Sequence, residues 1–210
     1  GVATANSPQG PFTDHGKMFR SNEIGVQNSI DPSLLQYEGR NYLVWGSFRG
    51  IYVIELTADG LSIMSGAKKK RIAGTAFEAV YIHKHGDYYY MFASIGSCCQ
   101  GVKSTYKVVV GRSKKVWGPY KDKTGKPMLK NGYSLVIGAN DHFVGNGHGS
   151  QIIQDDAGQD WLLYHGFSRS TPENGRILLL DQIKWDQEGW PYVEGGSPSY
   201  ETQKAPVFNN

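Results

Sequence analysis

With 210 residues the chain can form one large all-β domain or two small ones, and it is long enough to bury a real core. Lys and Arg number 22 against 19 Asp and Glu, and the net charge of +3 comes without the dense basic runs of a nucleic-acid binder; only Lys68-Lys69-Lys70-Arg71 clusters, on an expected turn. No apolar run approaches the roughly 20 residues that span a bilayer, and the first residues lack a charged-then-apolar leader pattern, so neither a nucleic-acid nor a membrane partner is expected.

In chain order, Gly1-Val2-Ala3-Thr4-Ala5 reads as the middle of a strand, which implies an upstream segment. Three repeats follow. The first carries Ile30-Asp31-Pro32-Ser33-Leu34-Leu35, a turn at Glu38-Gly39, the strand Tyr42-Leu43-Val44-Trp45 and a further strand from Ile51 to Leu56. In the second, Phe77-Glu78-Ala79-Val80-Tyr81-Ile82 leads through His85-Gly86-Asp87 into the Tyr88–Ser94 strand and another over Tyr106–Ser113. The third runs from Gly149-Ser150-Gln151-Ile152-Ile153 past Gly158 to Trp161–Gly166 and Arg176–Asp181. Each unit is a hairpin closed at a glycine turn with further strands behind it, which is the pattern of one propeller blade. Gly10-Pro11-Phe12-Thr13-Asp14 mirrors Gly118-Pro119-Tyr120-Lys121-Asp122, marking the remnant of another unit. The expected fold is all-β, an incomplete propeller of about three and a half blades: residues 1–20 ending a partial blade, then blades over 28–70, 75–130 and 145–200. A plain β-sandwich is the competing architecture.

The two cysteines, Cys98 and Cys99, are adjacent, which excludes a long-range disulfide framework and a Cys-x-x-Cys metal site and leaves a bond between neighbours or two free thiols. The 13 Tyr and 5 Trp suit a protein that handles sugars, whose C–H faces pack on aromatic rings.

Asp31 lies eight residues before Gly39 and Glu78 eight before Gly86, while His148 stands ten before Gly158 in an enlarged turn. Matching registers place all three at the mouth of a shared channel, where ionisable groups beside small or apolar neighbours point to chemistry. Glycoside cleavage asks for a carboxylic acid that protonates the departing oxygen and a second carboxylate across the sugar. Glu78 suits the acid, with Phe77 beside it. Asp31 stands open between the second carboxylate and a neighbour that tunes the acid.

Asn28-Ser29-Ile30-Asp31-Pro32-Ser33, Glu78 opening a Tyr-rich strand, and the Gly-rich His148 loop resemble glycoside hydrolase family 43. Ser97-Cys98-Cys99-Gln100-Gly101, Val110-Gly111-Arg112-Ser113 and Gly118-Pro119-Tyr120 look most like its arabinan endo-1,5-α-L-arabinosidases. The resemblance implies a five-bladed β-propeller and inverting hydrolysis of α-1,5-linked arabinan in a secreted or periplasmic setting. It makes Glu78 the general acid and Asp31 the auxiliary aspartate that modulates and orients it, and it places the general base in an N-terminal segment or second chain that completes the ring. Asn28, Phe77 and Arg176 become substrate contacts, and His148, with waters, a holder of calcium in the channel. The partner is then a plant cell-wall polysaccharide of arabinan or arabinoxylan type. An exo-acting β-xylosidase or α-L-arabinofuranosidase, and a non-catalytic carbohydrate-binding propeller, are the alternatives.

Overall fold

Short runs of apolar and aromatic residues between glycine turns become antiparallel strands throughout a computed structural model that describes residues 1–209. The strands β1 (Ala3–Thr4) and β2 (Thr13–Asp14) pair as an isolated ribbon, and a short helix, α1 (Ser21–Ile24), ends at Gly25 in the left-handed region. Three full sheets follow. The first blade is β3 (Ser33–Tyr37), β4 (Arg40–Trp45), β5 (Ile51–Glu55) and β6 (Lys70–Ala73), in that spatial order. The middle blade is β7 (Glu78–His85), β8 (Tyr88–Ile95), β9 (Lys107–Ser113) and β10 (Ser134–Ile137), again sequential. In the last blade, β11 (Phe143–Gly147) and β12 (Ile153–Gln154) both pair with β13 (Asp160–Ser168), which is followed by β14 (Arg176–Trp185) and β15 (Pro191–Tyr192).

The middle blade outruns the expected 75–130 span, because its outer strand β10 comes only after an excursion holding the Gly118-Pro119 turn and a short 3-10 turn, Met128–Lys130. The first blade likewise extends to Ala73 and the last begins at Phe143.

Successive sheets of four or five strands with separate cores between them define blades and exclude a two-sheet sandwich. Val44, Ile51, Phe77, Val80, Met91 and Val109 fill the seam between the first and middle blades. Tyr81, Phe92, Val110, Leu162, Tyr164 and Ile183 fill the next seam. Among the described residues the far side of the last blade has no such cover: Arg176, Leu178 and Leu180 alternate along β14 with their side chains outward, Leu178 at 73 % exposure. Cys98 and Cys99 are bonded to each other, which resolves the choice the sequence left open.

Asp155 ties the C-terminal tail to the last blade. Its carboxylate accepts hydrogen bonds from the backbone N–H groups of Ala157, Gln159 and Val207 and from the Trp161 indole. Burial pushes this carboxyl upward, but the N–H donors of Gln159 and Val207 and the indole outweigh it and hold the group below the usual range. A depressed acid stabilises the fold above its unfolded value, near pH 4, and that contribution is lost as pH falls through the folded value. Asp155→Ala is therefore expected to lower the melting temperature at pH 7 and to speed tryptic cleavage after Lys204, with the two proteins drawing together only as pH falls below the usual carboxylate range. Equal cleavage rates at pH 7 would rule out the anchor.

Candidate active site

At the head of each blade the innermost segment kinks in the same way. Asp31, Ala79 and His148 adopt φ values of 54°, 50° and 53°, in the left-handed region that non-glycine residues rarely enter. Each stands six residues ahead of the last paired strand residue, Tyr37, His85 and Gln154 respectively. Such conformations cost on the order of 1–3 kcal/mol each and persist where the surrounding structure enforces them.

This corrects the register expected from the glycines. Asp31 corresponds to Ala79, and Glu78 to Ile30, one residue earlier: the Ile30 carbonyl accepts from Gly46 N–H where Glu78 stands opposite Ser94 and Gly147 opposite His165. Gly39 is the second residue of its two-residue turn and Gly86 the first, so counting from glycine shifts one repeat against the other.

The kinks are stitched across the blades. Ala79 N–H donates to Asp31 Oδ2 at 3.0 Å, and His148 N–H donates to Ser94 Oγ at 2.8 Å. Glu78 sits between these two stitches, 8 % exposed. Ser47 Oγ, from the segment after β4, donates to its Oε2 at 2.7 Å, and Tyr106 Oη donates to its Oε1 at 2.5 Å. Both carboxyl oxygens are thus held from two directions, which confines the group to one rotamer. Burial, followed by the hydrogen bond to Glu78, pushes the Tyr106 phenol far above its usual value, so it remains a donor across the working pH range. Tyr106 lies in the family-like Ser104-Thr105-Tyr106 motif, but nothing local assigns it or Ser47 to Glu78, from which they lie 28 and 31 residues away.

Beside Glu78 opens a cleft of about 600 Å³ lined by Asp31, Ala79, His148, His165 and Leu178 among others. His148 Nε2 is 4.0 Å from Asp31 Oδ1, and its ring stacks near His165, which in turn stacks on Tyr106. Burial, then the charges of Arg176 and His148, lower His165 to about 4, so its imidazole is neutral near pH 7. His165 Nδ1 is buried and has no partner among the described residues.

Of the expected substrate contacts, Arg176 is exposed at the start of β14 on the face shared with His165, and Asn28 is exposed, with its amide donating to Ser47 O. Phe77 is not available. It is fully buried in the seam between the first and middle blades, because the chain turns it into the core just before the kink.

A calcium ion takes six to eight oxygen ligands. The channel side of His148 offers one imidazole and, 4.0 Å away, one carboxylate oxygen; among the described residues no third ligating side chain closes a set there. These residues fit a hard cation only when water supplies the remaining ligands.

The sequence model of Glycosyl hydrolases family 43 matches residues 1–191. Among curated proteins, the chain is 38 % identical over 205 residues to the extracellular exo-α-(1→5)-L-arabinofuranosidase of Cellvibrio japonicus, covering 90 % of this chain and 58 % of that protein. It is 35 % identical over 199 residues to the extracellular endo-α-(1→5)-L-arabinanase 1 of Bacillus subtilis, covering 91 % and 59 %. The chain therefore spans a little under three fifths of these relatives. Among solved structures, a Cellvibrio cellulosa α-L-arabinanase complexed with arabinohexaose superposes with a TM-score of 0.81 at 34 % identity, covering 91 % of this chain and 65 % of that one.

Proposed function

Because this chain belongs to glycosyl hydrolases family 43, we propose that it forms most of an inverting hydrolase of α-1,5-linked arabinan, in which Glu78 is the general acid. The observation that carries this reading is the fixation of the Glu78 carboxyl by Ser47 and Tyr106 beside an open cleft. In the reaction, Glu78 gives its proton to the glycosidic oxygen as the bond from that oxygen to the anomeric carbon breaks. A base on the opposite face takes a proton from the incoming water, and the new hydroxyl arrives with inverted configuration.

Asp31 serves as the modulator. Its Oδ2 is occupied by Ala79 N–H, so it braces the residue next to the acid. The base is assigned to a part of the protein outside these 210 residues. The open apolar faces, with Leu178 and Leu180 on the last blade and Ile30 and Leu34 before and within β3, are assigned to the same part, which would bury them. His148 with waters would hold a calcium ion, which would supply fixed positive charge in the channel. Adding calcium to the metal-stripped protein is then expected to raise the melting temperature, and His148→Ala to remove that response; an unchanged melting temperature would dismiss the ion. Secretion, or export to a periplasm, accords with the names of the two curated relatives and with a disulfide that endures in an oxidising compartment.

Tyr106→Phe tests the clamp. It removes one hydroxyl and keeps the ring, so kcat is expected to fall about tenfold, as for one lost hydrogen bond of about 1.4 kcal/mol, with KM little changed. A normal kcat would show that Tyr106 is packing alone. The two relatives differ in mode, one exo and one endo, and products from linear arabinan decide: internal cuts release a ladder of oligosaccharides, terminal ones a single small product.

A further inference from the structure

The end of β7 remote from Glu78 carries a second cluster of ligating side chains. His83 and His85, two residues apart on the strand, face the same side of the sheet. Asp160, at the start of β13, reaches them from the last blade. One ligand atom from each of the three lies within 4.8 Å of the others, and His85 Nδ1 is 3.9 Å from Asp160 Oδ2. Glu78 opens the same strand and His85 closes it, so the cluster lies about 20 Å from the acid at the usual rise per residue.

We propose that His83, His85 and Asp160 form a binding site for a borderline divalent d-block ion, zinc foremost, that staples the middle blade to the last one. Two imidazole nitrogens and one carboxylate oxygen make a ligand set that zinc accepts and that calcium and magnesium, which require oxygen, do not. Modest rotation of the two half-buried rings brings the ligand atoms to the roughly 3.4 Å spacing of a tetrahedral zinc centre. A fourth position is left for water.

The surroundings are arranged as outer-shell support. Trp185 Nε1 donates to Asp160 Oδ2 at 2.7 Å and Gln154 Nε2 to Oδ1 at 3.2 Å, so the carboxylate is fixed in orientation while lone pairs remain. Asp160 is itself buried, at 6 % exposure. The Trp185 ring stacks on His85 at 3.7 Å with an interplanar angle of 8° and lies nearly parallel to His83 at 6.0 Å, so it limits the freedom of both imidazoles, whose centroids are 6.5 Å apart. An ion pair between His85 and Asp160 alone would need neither the second histidine nor a stacked arrangement of both.

Titration of the metal-stripped protein with zinc sulfate, followed by calorimetry and by melting temperature, tests the site. One zinc per chain and a raised melting temperature are expected. His83→Gln and His85→Gln, both at partly exposed positions, are each expected to weaken zinc binding at least tenfold without changing the melting temperature of the metal-free protein greatly. His148→Ala is expected to leave zinc binding intact, which separates this site from the channel. Absence of binding at about 100 μM zinc, or equal affinity in the two glutamine variants and the parent, would overturn the proposal.

Discussion

In the protein carrying its complete ring, Glu78→Gln is expected to lower kcat on linear α-1,5-arabinan by about 10³-fold or more, the upper range of general acid catalysis, while leaving KM within about twofold. Gln fills the same volume and keeps an acceptor for one of the two hydroxyls that clamp the position, so folding survives while the transferable proton is lost. An aryl arabinofuranoside with an acidic phenol supplies the internal control. Its leaving group departs without a proton, so the variant should recover most of the parental rate on it. If both substrates lose activity equally, Glu78 acts in some other way; if neither does, the acid is elsewhere. A melting temperature close to the parent's excludes loss of structure as the cause.

The blades were legible because their determinants are local. A short apolar and aromatic run such as Tyr42–Trp45 or Tyr88–Ser94, set between glycine turns, calls for a hairpin whatever the rest of the chain does. Asp31, Glu78 and His148 stood out because ionisable residues recurred near the start of every unit. The exact register did not follow from the same signal. Both residues of the Glu38-Gly39 turn take positive φ, whereas in Gly86-Asp87 only the glycine does, so the two turns differ in type and glycine spacing carries an ambiguity of one residue. Only strand pairing removes it, and removing it places Asp31 opposite the backbone of Ala79 and leaves the Glu78 side chain to Ser47 and Tyr106.

Ser47 and Tyr106 could not be tied to Glu78 for a related reason. Each reaches Glu78 across a seam or a sheet, and nothing about an isolated Ser or Tyr in a Tyr-rich chain reports a partner about 30 residues away. Phe77 failed in the opposite direction. An aromatic ring beside a candidate acid suggests a sugar platform, yet the seam between two blades also demands large apolar side chains at the blade head, and that demand prevailed.

Gly147→Ala is expected to cost as much as any substitution outside the carboxylates. Gly147 occupies in the last blade the position that Glu78 holds in the middle one, opposite His165. Its backbone conformation is one that alanine adopts readily, so conformational strain is not the issue. A Cβ there would stand 2.3 Å from Tyr106 Cδ1 and 2.5 Å from Cε1, far inside contact distance. The ring cannot yield freely, being 2 % exposed and stacked on His165. Overpacking of this kind destabilises by about 1–3 kcal/mol. Relief requires Tyr106 to swing away from Glu78, which releases the same hydroxyl that Tyr106→Phe removes. The expected outcome is a lowered melting temperature together with a loss in kcat similar to that of Tyr106→Phe. The double variant separates the causes: if alanine acts through the tyrosine hydroxyl, adding Tyr106→Phe to Gly147→Ala should lower kcat little further, whereas fully additive losses would show that Gly147 matters for some other contact.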